Sequence, residues 1–424
     1  MDGAAPTLAT MIFSNATTAY TIASGSGGSL TVGTIGSTGT ITDLAGNHTI
    51  SAAIELARDT SVNVSSSKNT LTLSGGISGS GQLLKTGAGQ LLVTGANSYT
   101  GLTVVSSGTL SLNGNLSSTN VSVQSGATLK GVGTIGGAVT ISADGTLSAT
   151  LGGTLVLSQS LVSAGIVVAN RSGLAVAGTF TNSGTLNMVG GLGVFHSAVV
   201  NNGAWITDPT TNIFAGELKV TSSGYVSASA GDVYVFNGDL INQSTQSNDW
   251  NTLNATPGSD SGSGTKFVFD GAGLTLTQRL NTIVLLLTDG FVGTPSPLTN
   301  GVQYISAYGD VTGFTNNFAI GELELTNTTL LLAQALSSST TNALFVNDLF
   351  LSADSRLIIS NDMRVYFVNS NTWGMSQITL LGNAQIHQLL IGTSLPLAIP
   401  EPNVLLMWIA GAVTLVAARR RRRR

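Results

Sequence analysis

A glycine-led repeat of about 19 residues constrains the fold of this chain more than any other feature. Short β-rich runs follow glycines at intervals of 19, 18, 19, 20, 19, 19 and 21 residues; these glycines are Gly89, Gly108, Gly126, Gly145, Gly165, Gly184, Gly203 and Gly224. Apolar residues alternate with Thr and Ser in the runs, which predicts strands with one buried face. A propeller blade needs about 40 residues, so the period favours a β-solenoid with two or three strands per rung.

The rungs are expected to stack in parallel register about 4.8 Å apart and to share one long core. Leu110, Leu129 and Leu147 each follow a repeat glycine by two or three residues, so we predict that they are equivalent inward side chains. Glycines at the corners are expected to supply positive φ. Asparagines at equivalent sites are expected to hydrogen-bond their amides to the next rung.

Composition divides the chain into five segments. A polar stretch after the regular repeats has too few large apolar residues to bury a core. β-rich runs then resume at irregular spacings, and the aromatic-rich stretch from Tyr366 to Trp373 is expected to cover the last open sheet edge. The predicted segments are an N-terminal β-rich cap (1–60), the β-solenoid (61–241), a polar insertion (242–264), an irregular β-rich continuation and cap (265–395) and a C-terminal sorting segment (396–424).

The C-terminal segment contains three features in a fixed order. The tripeptide Pro400, Glu401 and Pro402 precedes the apolar run Val404 to Ala418, and six arginines follow; these are Arg419, Arg420, Arg421, Arg422, Arg423 and Arg424. As a helix the apolar run is about 22 Å long, shorter than the ~30 Å hydrocarbon core of a bilayer. Arginines favour the cytoplasmic side, so everything before Pro400 is expected to lie across the membrane.

This order closely resembles the PEP-CTERM sorting signal of Gram-negative bacteria. The resemblance covers Ile399 to Arg424 and departs from the family at Asn403, where Ser or Thr is usual. It implies a transmembrane sorting helix, arginines that hold its orientation, and an exosortase-like membrane peptidase that recognises the Pro-Glu-Pro site. The protein would pass the inner membrane and reach the cell surface or extracellular matrix. An ordinary membrane anchor and a nucleic-acid-binding arginine tail are the competing interpretations.

Charge and cysteine content narrow the function classes further. Without the six terminal arginines, 10 Lys and Arg remain against 20 Asp and Glu, so the body carries about −10 and is not expected to bind nucleic acid. The chain has no cysteine, which excludes disulfides, thiolate metal sites and cysteine nucleophiles. Export requires a signal peptide, and residues 1–19 show neither a basic region nor an unbroken apolar core, so we expect the true start to lie upstream.

One stretch of the solenoid carries a recognisable motif. Residues 84–103 read Leu-Lys-Thr-Gly-Ala-Gly-Gln-Leu-Leu-Val-Thr-Gly-Ala-Asn-Ser-Tyr-Thr-Gly-Leu-Thr, and Val104 to Leu110 complete it. The stretch resembles the autotransporter-associated β-strand repeat, of which Lys-Thr-Gly-Ala-Gly and Asn-x-Tyr-Thr-Gly are hallmarks. The resemblance implies a right-handed parallel β-helix of the kind that forms the passenger regions of surface proteins.

Signals for catalysis are weak. His48, His196 and His387 lie 148 and 191 residues apart, so no metal-ligand or base-nucleophile spacing exists, and each is expected in a turn or at the surface. The run Gly131 to Gly136 matches the G-x-G-x-x-G fingerprint, but a predicted strand follows it where a phosphate-binding helix should begin. We therefore predict no catalytic residue, no metal site and no cofactor.

An enzyme is nevertheless one alternative. Parallel β-helices host polysaccharide lyases and glycosidases, whose paired acids lie roughly 5 to 9.5 Å apart. Asp208, Asp232, Asp239 and Asp270 are spaced so that they could stack on adjacent rungs. Fold analogy alone supports no activity, and acids at turns are ordinary solubilising residues.

A carbohydrate-binding module is the second alternative. Such a module would present a row of exposed aromatic side chains on one face, and Trp205, Tyr225 and Tyr234 are the only hint of one. Trp205 is more simply explained as a side chain packed inside its rung.

We interpret the chain as an exported structural or adhesive protein and not as an enzyme. Its predicted fold is an all-β, right-handed parallel β-helix with a C-terminal transmembrane sorting helix. The expected partners are an exosortase-like peptidase, the membrane in transit or as an anchor, and extracellular polysaccharide. No cofactor, metal or nucleic acid is expected.

Overall fold

Parallel strands stacked one above another form the framework of the chain. The computed structural model describes residues 2–229, 231–245, 265–278, 303–306, 320–334 and 342–390. The chain passes repeatedly through three sheets, here called S1, S2 and S3, and each strand pairs in parallel with the strand one rung away. A 3₁₀ turn spans Met375–Gln377. The predicted parallel β-solenoid is confirmed.

S1 is a 16-stranded sheet. At about 4.8 Å per rung, its strands extend over roughly 70 Å. They are Thr10–Phe13, Gly39–Asp43, Thr60–Val64, Leu83–Thr86, Thr103–Val105, Asn120–Val123, Ala138–Ile141, Leu161–Ser163, Phe180–Asn182, Val199–Asn201, Leu218–Val220, Leu240–Asn242, Leu274–Gln278, Thr329–Gln334, Arg356–Ile359 and Ile378–Leu380.

S2 and S3 follow S1 in each rung. The strands of S2 are Thr21–Ile22, Asn47–Ile50, Thr70–Leu73, Gln90–Val93, Thr146–Ala149, Ile166–Val168, Thr185–Val189, Ala204–Asp208, Tyr225–Ser227, Gln385–Leu390 and Gln303–Ser306. The strands of S3 are Thr7–Leu8, Ser29–Val32, Ala53–Leu56, Ile77–Gly79, Ala96–Asn97, Thr154–Leu157, Gly173–Val176, Leu192–Phe195, Thr211–Phe214, Val233–Phe236, Lys266–Phe269 and Ile320–Leu325.

Four longer strands contribute to S2 with their first half and to S3 with their second half. They are Thr109–Leu116, Thr128–Ile135, Asn342–Leu351 and Met363–Ser370. Residues 109–112 pair with Gln90–Val93, whereas Asn115 and Leu116 pair with Ala96–Asn97. A strand can therefore round a corner of the solenoid without leaving the hydrogen-bonded ladder.

Inward side chains form columns that cross the rungs. In S2, Leu71, Leu91, Leu110, Leu129 and Leu147 are consecutive register partners, and each is at most 1% exposed. The predicted equivalence of the last three leucines is confirmed. Because strand side chains alternate, the residues directly before and after each leucine in its strand point outward.

The repeat glycines lie where each rung enters S2, but the expectation that they supply positive φ holds only for some. Gly108 and Gly126 have φ values of 66° and 72°, whereas Gly145, Gly165 and Gly184 lie outside the positive-φ region. Close approach between rungs explains these three. A Cβ on Gly165 would lie 2.2 Å from the carbonyl oxygen of Gly145, and one on Gly184 would lie 2.0 Å from that of Gly165.

The strand expected after the G-x-G-x-x-G run is present as Ala138–Ile141, and most of the run itself also lies in a strand. Thr128–Ile135 is one of the long corner strands, and Gly131 and Gly133 have φ values of 148° and 111°. A Cβ on Gly131 would lie 1.8 Å from the carbonyl oxygen of Leu112. These glycines therefore allow the strand to bend at the corner while it lies close to the preceding rung.

Two asparagines, each the last residue of its S1 strand, stack their amides across neighbouring rungs, as expected. Asn182 and Asn201 are fully buried register partners, and Asn182 Nδ2 donates to Asn201 Oδ1 at 2.8 Å. Asn182 Nδ2 also donates to the carbonyl oxygen of Ala204 at 3.0 Å, and Asn201 Nδ2 to that of Tyr225 at 2.9 Å. These bonds tie the S1–S2 corner of one rung to the next.

The solenoid continues into the C-terminal third of the chain. Asn242 ends an S1 strand, and Lys266–Phe269 stacks in register on Val233–Phe236; residues 246–264 of the predicted polar insertion lie outside the described residues. The expectation that Tyr366 to Trp373 covers the last sheet edge is wrong. The strand Met363–Ser370 is paired on both sides because a further strand, Gln385–Leu390, follows it.

The predicted sorting segment lies outside the described residues, and so do its Pro-Glu-Pro site, its apolar run and its arginines. Across the ranges that are described, no helix is both long and apolar enough to cross a membrane.

Candidate functional site

A buried lysine is the most unusual chemical group of the motif-bearing rungs. Lys85 points inward from the S1 strand Leu83–Thr86 and is fully buried. Its Nζ donates to the carbonyl oxygens of Thr86 at 2.7 Å, Gly87 at 2.9 Å and Ser107 at 3.1 Å. Burial lowers the pKa of the ammonium group to about 8. Because Ser107 belongs to the next rung, the lysine joins the S1–S2 corners of two rungs.

The asparagine and tyrosine of the motif fill the opposite corner. Asn97 is 2% exposed, and its Nδ2 donates to the carbonyl oxygens of Gly95 at 2.6 Å and Asn115 at 2.9 Å. Tyr99 is fully buried, with its hydroxyl 2.5 Å from the hydroxyl of Thr103. Burial raises the pKa of Tyr99, which keeps the phenol neutral. Each polar group is thus matched locally inside the core.

The glycines of the motif allow the rungs to approach each other closely. Gly87 has a φ of 75°. A Cβ on Gly95 would lie 2.5 Å from the carbonyl oxygen of Gly75, and one on Gly101 would lie 2.1 Å from that of Gly81. The hallmark residues therefore build and stack corners. The polar side-chain atoms of Lys85, Asn97 and Tyr99 are hydrogen-bonded inside the rod, so they are not presented to a ligand at the surface.

The four acids of the enzyme alternative are divided between two corners. Asp208 ends an S2 strand and Asp232 precedes the next rung's S3 strand, whereas Asp239 and Asp270 flank strands at the S3–S1 corner. Ser229 links the first two, because its Oγ donates to Asp208 Oδ1 at 2.9 Å and its N–H to Asp232 Oδ2 at 2.6 Å. The acids do not form one continuous face.

Asp232 is a core residue. It is fully buried, and its Oδ1 accepts from the N–H of Thr210 at 2.5 Å and from the hydroxyl of Thr210 at 3.0 Å. Its Oδ2 also accepts from the hydroxyl of Thr207 at 2.8 Å, which lies 2.6 Å from the hydroxyl of Tyr234. A carboxylate enclosed by donors in this way stabilises the S2–S3 corner. In the described part of the chain, no group of three or more His, Asp or Glu is placed to hold a metal ion.

The expectation that the histidines lie in turns or at the surface is wrong for two of the three. His196 is exposed, but His48 is 1% and His387 is 3% exposed. The ring of His48 stacks between Phe13 and Tyr20, with centroids 4.8 Å and 5.4 Å away, and His387 stacks on a tyrosine of the rung below. Flat rings suit the rung spacing, so histidine is used here as a core aromatic.

Hydrogen bonds assign the proton of His48. The N–H of Tyr20 donates to Nδ1 at 3.0 Å, so Nδ1 carries no hydrogen, and Nε2 donates to the carbonyl oxygen of Ala45 at 2.8 Å. The ring is therefore neutral, and both nitrogens are engaged. Neither nitrogen is free to act as a base or as a metal ligand.

Sequence reasoning missed Asp43, which lies inward near His48. Asp43 is fully buried, and neither carboxylate oxygen has a hydrogen-bond partner. Burial raises the pKa of the Asp43 carboxyl group. The signal was present in the alternation of Gly39–Asp43, because Asp43 lies two residues after the buried Ile41 and must share its face.

The aromatic row of the carbohydrate-binding alternative is not on the surface. Trp205 and Tyr234 are fully buried, and Tyr225 is half-buried. The expectation that Trp205 packs inside its rung is confirmed. Trp205 and Tyr234 contribute to the core, and Tyr225 is the one of the three on the outward side of its strand, so the three residues do not form an exposed sugar-binding row.

The protein is by its architecture a three-sided parallel β-solenoid whose motif residues stabilise corners. Compared with known families, residues 83–112 match the passenger-associated-transport-repeat family, which confirms the resemblance to an autotransporter-associated repeat. No curated protein and no solved structure matches the chain. The repeat and the fold together are consistent with a surface-exposed, autotransporter-like passenger, and the repeat indicates an exported cell-surface protein.

Proposed function

We propose that the protein is an exported structural or adhesive rod at the surface or in the extracellular matrix of a Gram-negative bacterium. The observation that carries this proposal is the passenger repeat at residues 83–112, which lies within a continuous parallel solenoid. Its chemically distinctive groups are used inside the rod, as Lys85 and Asp232 show. Length in such a fold grows with the number of rungs, which suits a scaffold or a spacer. The proposal includes a right-handed winding of the solenoid, because crossover connections between parallel strands are almost always right-handed.

The proposal includes sorting through the C-terminal segment as a PEP-CTERM-like signal. An exosortase-like peptidase would recognise Pro400, Glu401 and Pro402, while Val404 to Ala418 spans the inner membrane in transit and the terminal arginines hold the orientation. The short apolar run supports a transient helix more than a lasting anchor. Extracellular polysaccharide is the partner proposed for the mature rod, which needs no cofactor.

Mass spectrometry of the mature surface protein tests the sorting proposal. Wild-type protein should end before Val404, and a Glu401→Ala variant should retain the apolar run; Glu217→Ala, a change within the solenoid, is the matched control. Protease added to intact cells should degrade the wild-type rod. Peptides running from Glu401 into the apolar run in mature wild-type protein would leave an ordinary membrane anchor.

Incubation with polysaccharides tests the absence of enzymatic activity. The full-length protein is expected to bind without shortening neutral or acidic polysaccharide chains. Depolymerisation that disappears in Asp208→Asn would establish a β-helical enzyme in place of a scaffold. That result would leave the export proposal intact, because export is read from location and not from turnover.

A further inference from the structure

The outward face of S3 carries a continuous apolar stripe. The outward residues at one strand position are consecutive register partners over six rungs, and all are partly exposed. These residues, here called the S3 stripe, are Val156, Ala175, Val194, Ile213, Val235 and Val268. Leu192, beside the stripe, is 44% exposed. The stripe is a regular ridge of small and β-branched side chains at the ~4.8 Å spacing of the rungs.

The outward face of S1 differs from the S3 stripe. Its corresponding column runs through Leu84, Val104, Ser122, Thr140 and Val162 in register, followed by Thr181, Val200 and Lys219. Hydroxyl groups and a charge interrupt the apolar residues there. An uninterrupted apolar column is therefore a property of S3 in this part of the rod and not of every face.

Charged residues mark one end of the S3 stripe. Val268 is followed in register by Glu324, and the neighbouring Lys266 is followed by Glu322. Lys266 Nζ lies 2.8 Å from Glu322 Oε1 and forms a second ion pair with Glu324. Burial alone would lower the pKa of Lys266, but the two glutamates outweigh it and raise the pKa. Two carboxylates against one ammonium leave a net charge of about −1 at this end.

The opposite end of the stripe is neutral. Thr134 precedes Val156 in register, and Asn115 precedes Thr134. Two rods that paired in parallel through their stripes would place two negative ends against each other. Antiparallel pairing would instead place each negative end against a neutral polar end, so electrostatic repulsion selects the antiparallel arrangement.

The dimensions of the stripe set the strength of such a pair. Five rung spacings give a length of about 24 Å, and a four-residue strand gives a width of about 13 Å, so each copy offers roughly 300 Å². A stable complex buries about 800 Å² per partner. The S3 stripe alone therefore supports a weak, reversible association.

We propose that two copies of this chain associate side by side and antiparallel through the S3 stripe. The regular spacing favours a second copy, because another in-register β-sheet repeats at the same interval over the whole stripe and lets the ridges of the two faces interdigitate. A twofold axis then lies between Val194 and Ile213, which makes the contact self-complementary. Val156 of one copy faces Val268 of the other.

Cysteine cross-linking tests the arrangement, because the chain has no cysteine of its own. Full-length Val156→Cys and Val268→Cys proteins, each with a different tag, are mixed and treated with a short bis-maleimide that spans two packed sheets. The mixed product should exceed either self-linked product several-fold. Val104→Cys and Val200→Cys are the matched control, since they also lie five rungs apart but on S1.

A second pair of variants tests the contact itself. Val194→Lys together with Ile213→Lys, added to both cysteine proteins, should abolish the mixed product, whereas lysines at Val104 and Val200 should leave it unchanged. Circular dichroism verifies that each variant is folded. Self-linked products in excess, equal cross-linking of the S1 control, or no cross-linking at all would each overturn the proposal. The pairing is independent of the surface role, so its failure leaves that role untouched.

Discussion

The leucine column of S2 and an aromatic column of S3 fill the same interior in different ways. The leucines, from Leu71 to Leu147, are register partners in the N-terminal half. Phe195, Phe214, Phe236 and Phe269 are register partners further along, and these four are at most 1% exposed. Their ring centroids lie 5.3, 5.4 and 4.9 Å apart, with interplanar angles of 17°, 12° and 23°.

The difference shows how the rung spacing selects side chains. A repeat of about 4.8 Å lies within the 4.5–7 Å range in which aromatic rings pair favourably, so the backbone stacks one phenylalanine on the next. Leucines meet the same spacing without a preferred ring orientation, and they gain only from burial and close packing. Truncating a side chain in the aromatic column should therefore cost more stability than truncating one in the leucine column.

The largest effect is expected for Phe214→Ala. It removes the ring that stacks between Phe195 and Phe236, and such a truncation costs about 3–5 kcal/mol. Hydrogen exchange by mass spectrometry should show faster exchange at residues 192–236 and unchanged exchange at residues 90–149, because rungs contact only their neighbours. Thr211→Ala, an outward change in the same strand, should alter exchange little. Equal loosening of both halves would show that the two columns unfold as one unit.

Sequence reasoning found the leucine column and missed the aromatic one for a physical reason. Leu110, Leu129 and Leu147 are 19 and 18 residues apart, so their period is visible. Phe195 to Phe269 are separated by 19, 22 and 33 residues, because loops of different length lie between strands that still stack at one spacing. Loop length changes the sequence period without changing the register of the core.

A smaller loss, about 2–5 kcal/mol, is expected for Leu129→Ala. Leu129 is 1% exposed between Leu110 and Leu147, so truncation leaves a cavity in the leucine column. Faster exchange should be confined to residues 109–149. Thr128→Ala, one position away and outward, should stay within about 0.5 kcal/mol, the range of ordinary surface changes. If Leu129→Ala itself cost no more than this, the register that places Leu129 inward would be refuted.

The motif was predictable from its residues, but the chemistry of its surroundings was only partly so. The hallmark Lys-Thr-Gly-Ala-Gly and Asn-x-Tyr-Thr-Gly identified the repeat, and the family match bears this out. Nothing in the spacing of Asp208 and Asp232 showed that one is exposed and the other enclosed by Thr207, Thr210 and Ser229. That difference depends on which rung covers each acid, which a single strand does not encode.

The pH dependence of stability isolates the one lysine buried among the leucine rungs. Lys85 has a folded pKa of about 8 and an unfolded value near ~10.4. Below pH 8 both states bind the proton, so its contribution is constant. Between pH 8 and about 10.4 the unfolded state binds more protons, so the free energy of unfolding rises with pH by up to about 3 kcal/mol.

A Lys85→Met variant should lose this rise, whereas the exposed Lys68→Met should retain it. The measurement is urea unfolding followed by circular dichroism between pH 7 and about 10.5, taken as the difference between each variant and wild type so that other titrating groups cancel. Identical pH profiles for wild type and Lys85→Met would show that the three carbonyl acceptors hold the ammonium at its ordinary pKa.

The smallest effect, about 1–3 kcal/mol, is expected for Gly165→Ala, which tests the spacing that both columns share. Its new Cβ would lie 2.2 Å from the carbonyl oxygen of Gly145 and 2.4 Å from that of Ser142, so the two rungs must separate at the S2 entry. Exchange should increase on both sides of this corner, toward Leu147 and toward Leu186 alike. Gly374→Ala, whose Cβ meets nothing closer than 3.8 Å, should have little effect. Little effect at Gly165 as well would mean that neighbouring rungs tolerate a wider spacing at this corner. Ring stacking in the aromatic column would then constrain the rung spacing more strongly than the backbone contact at the glycine does.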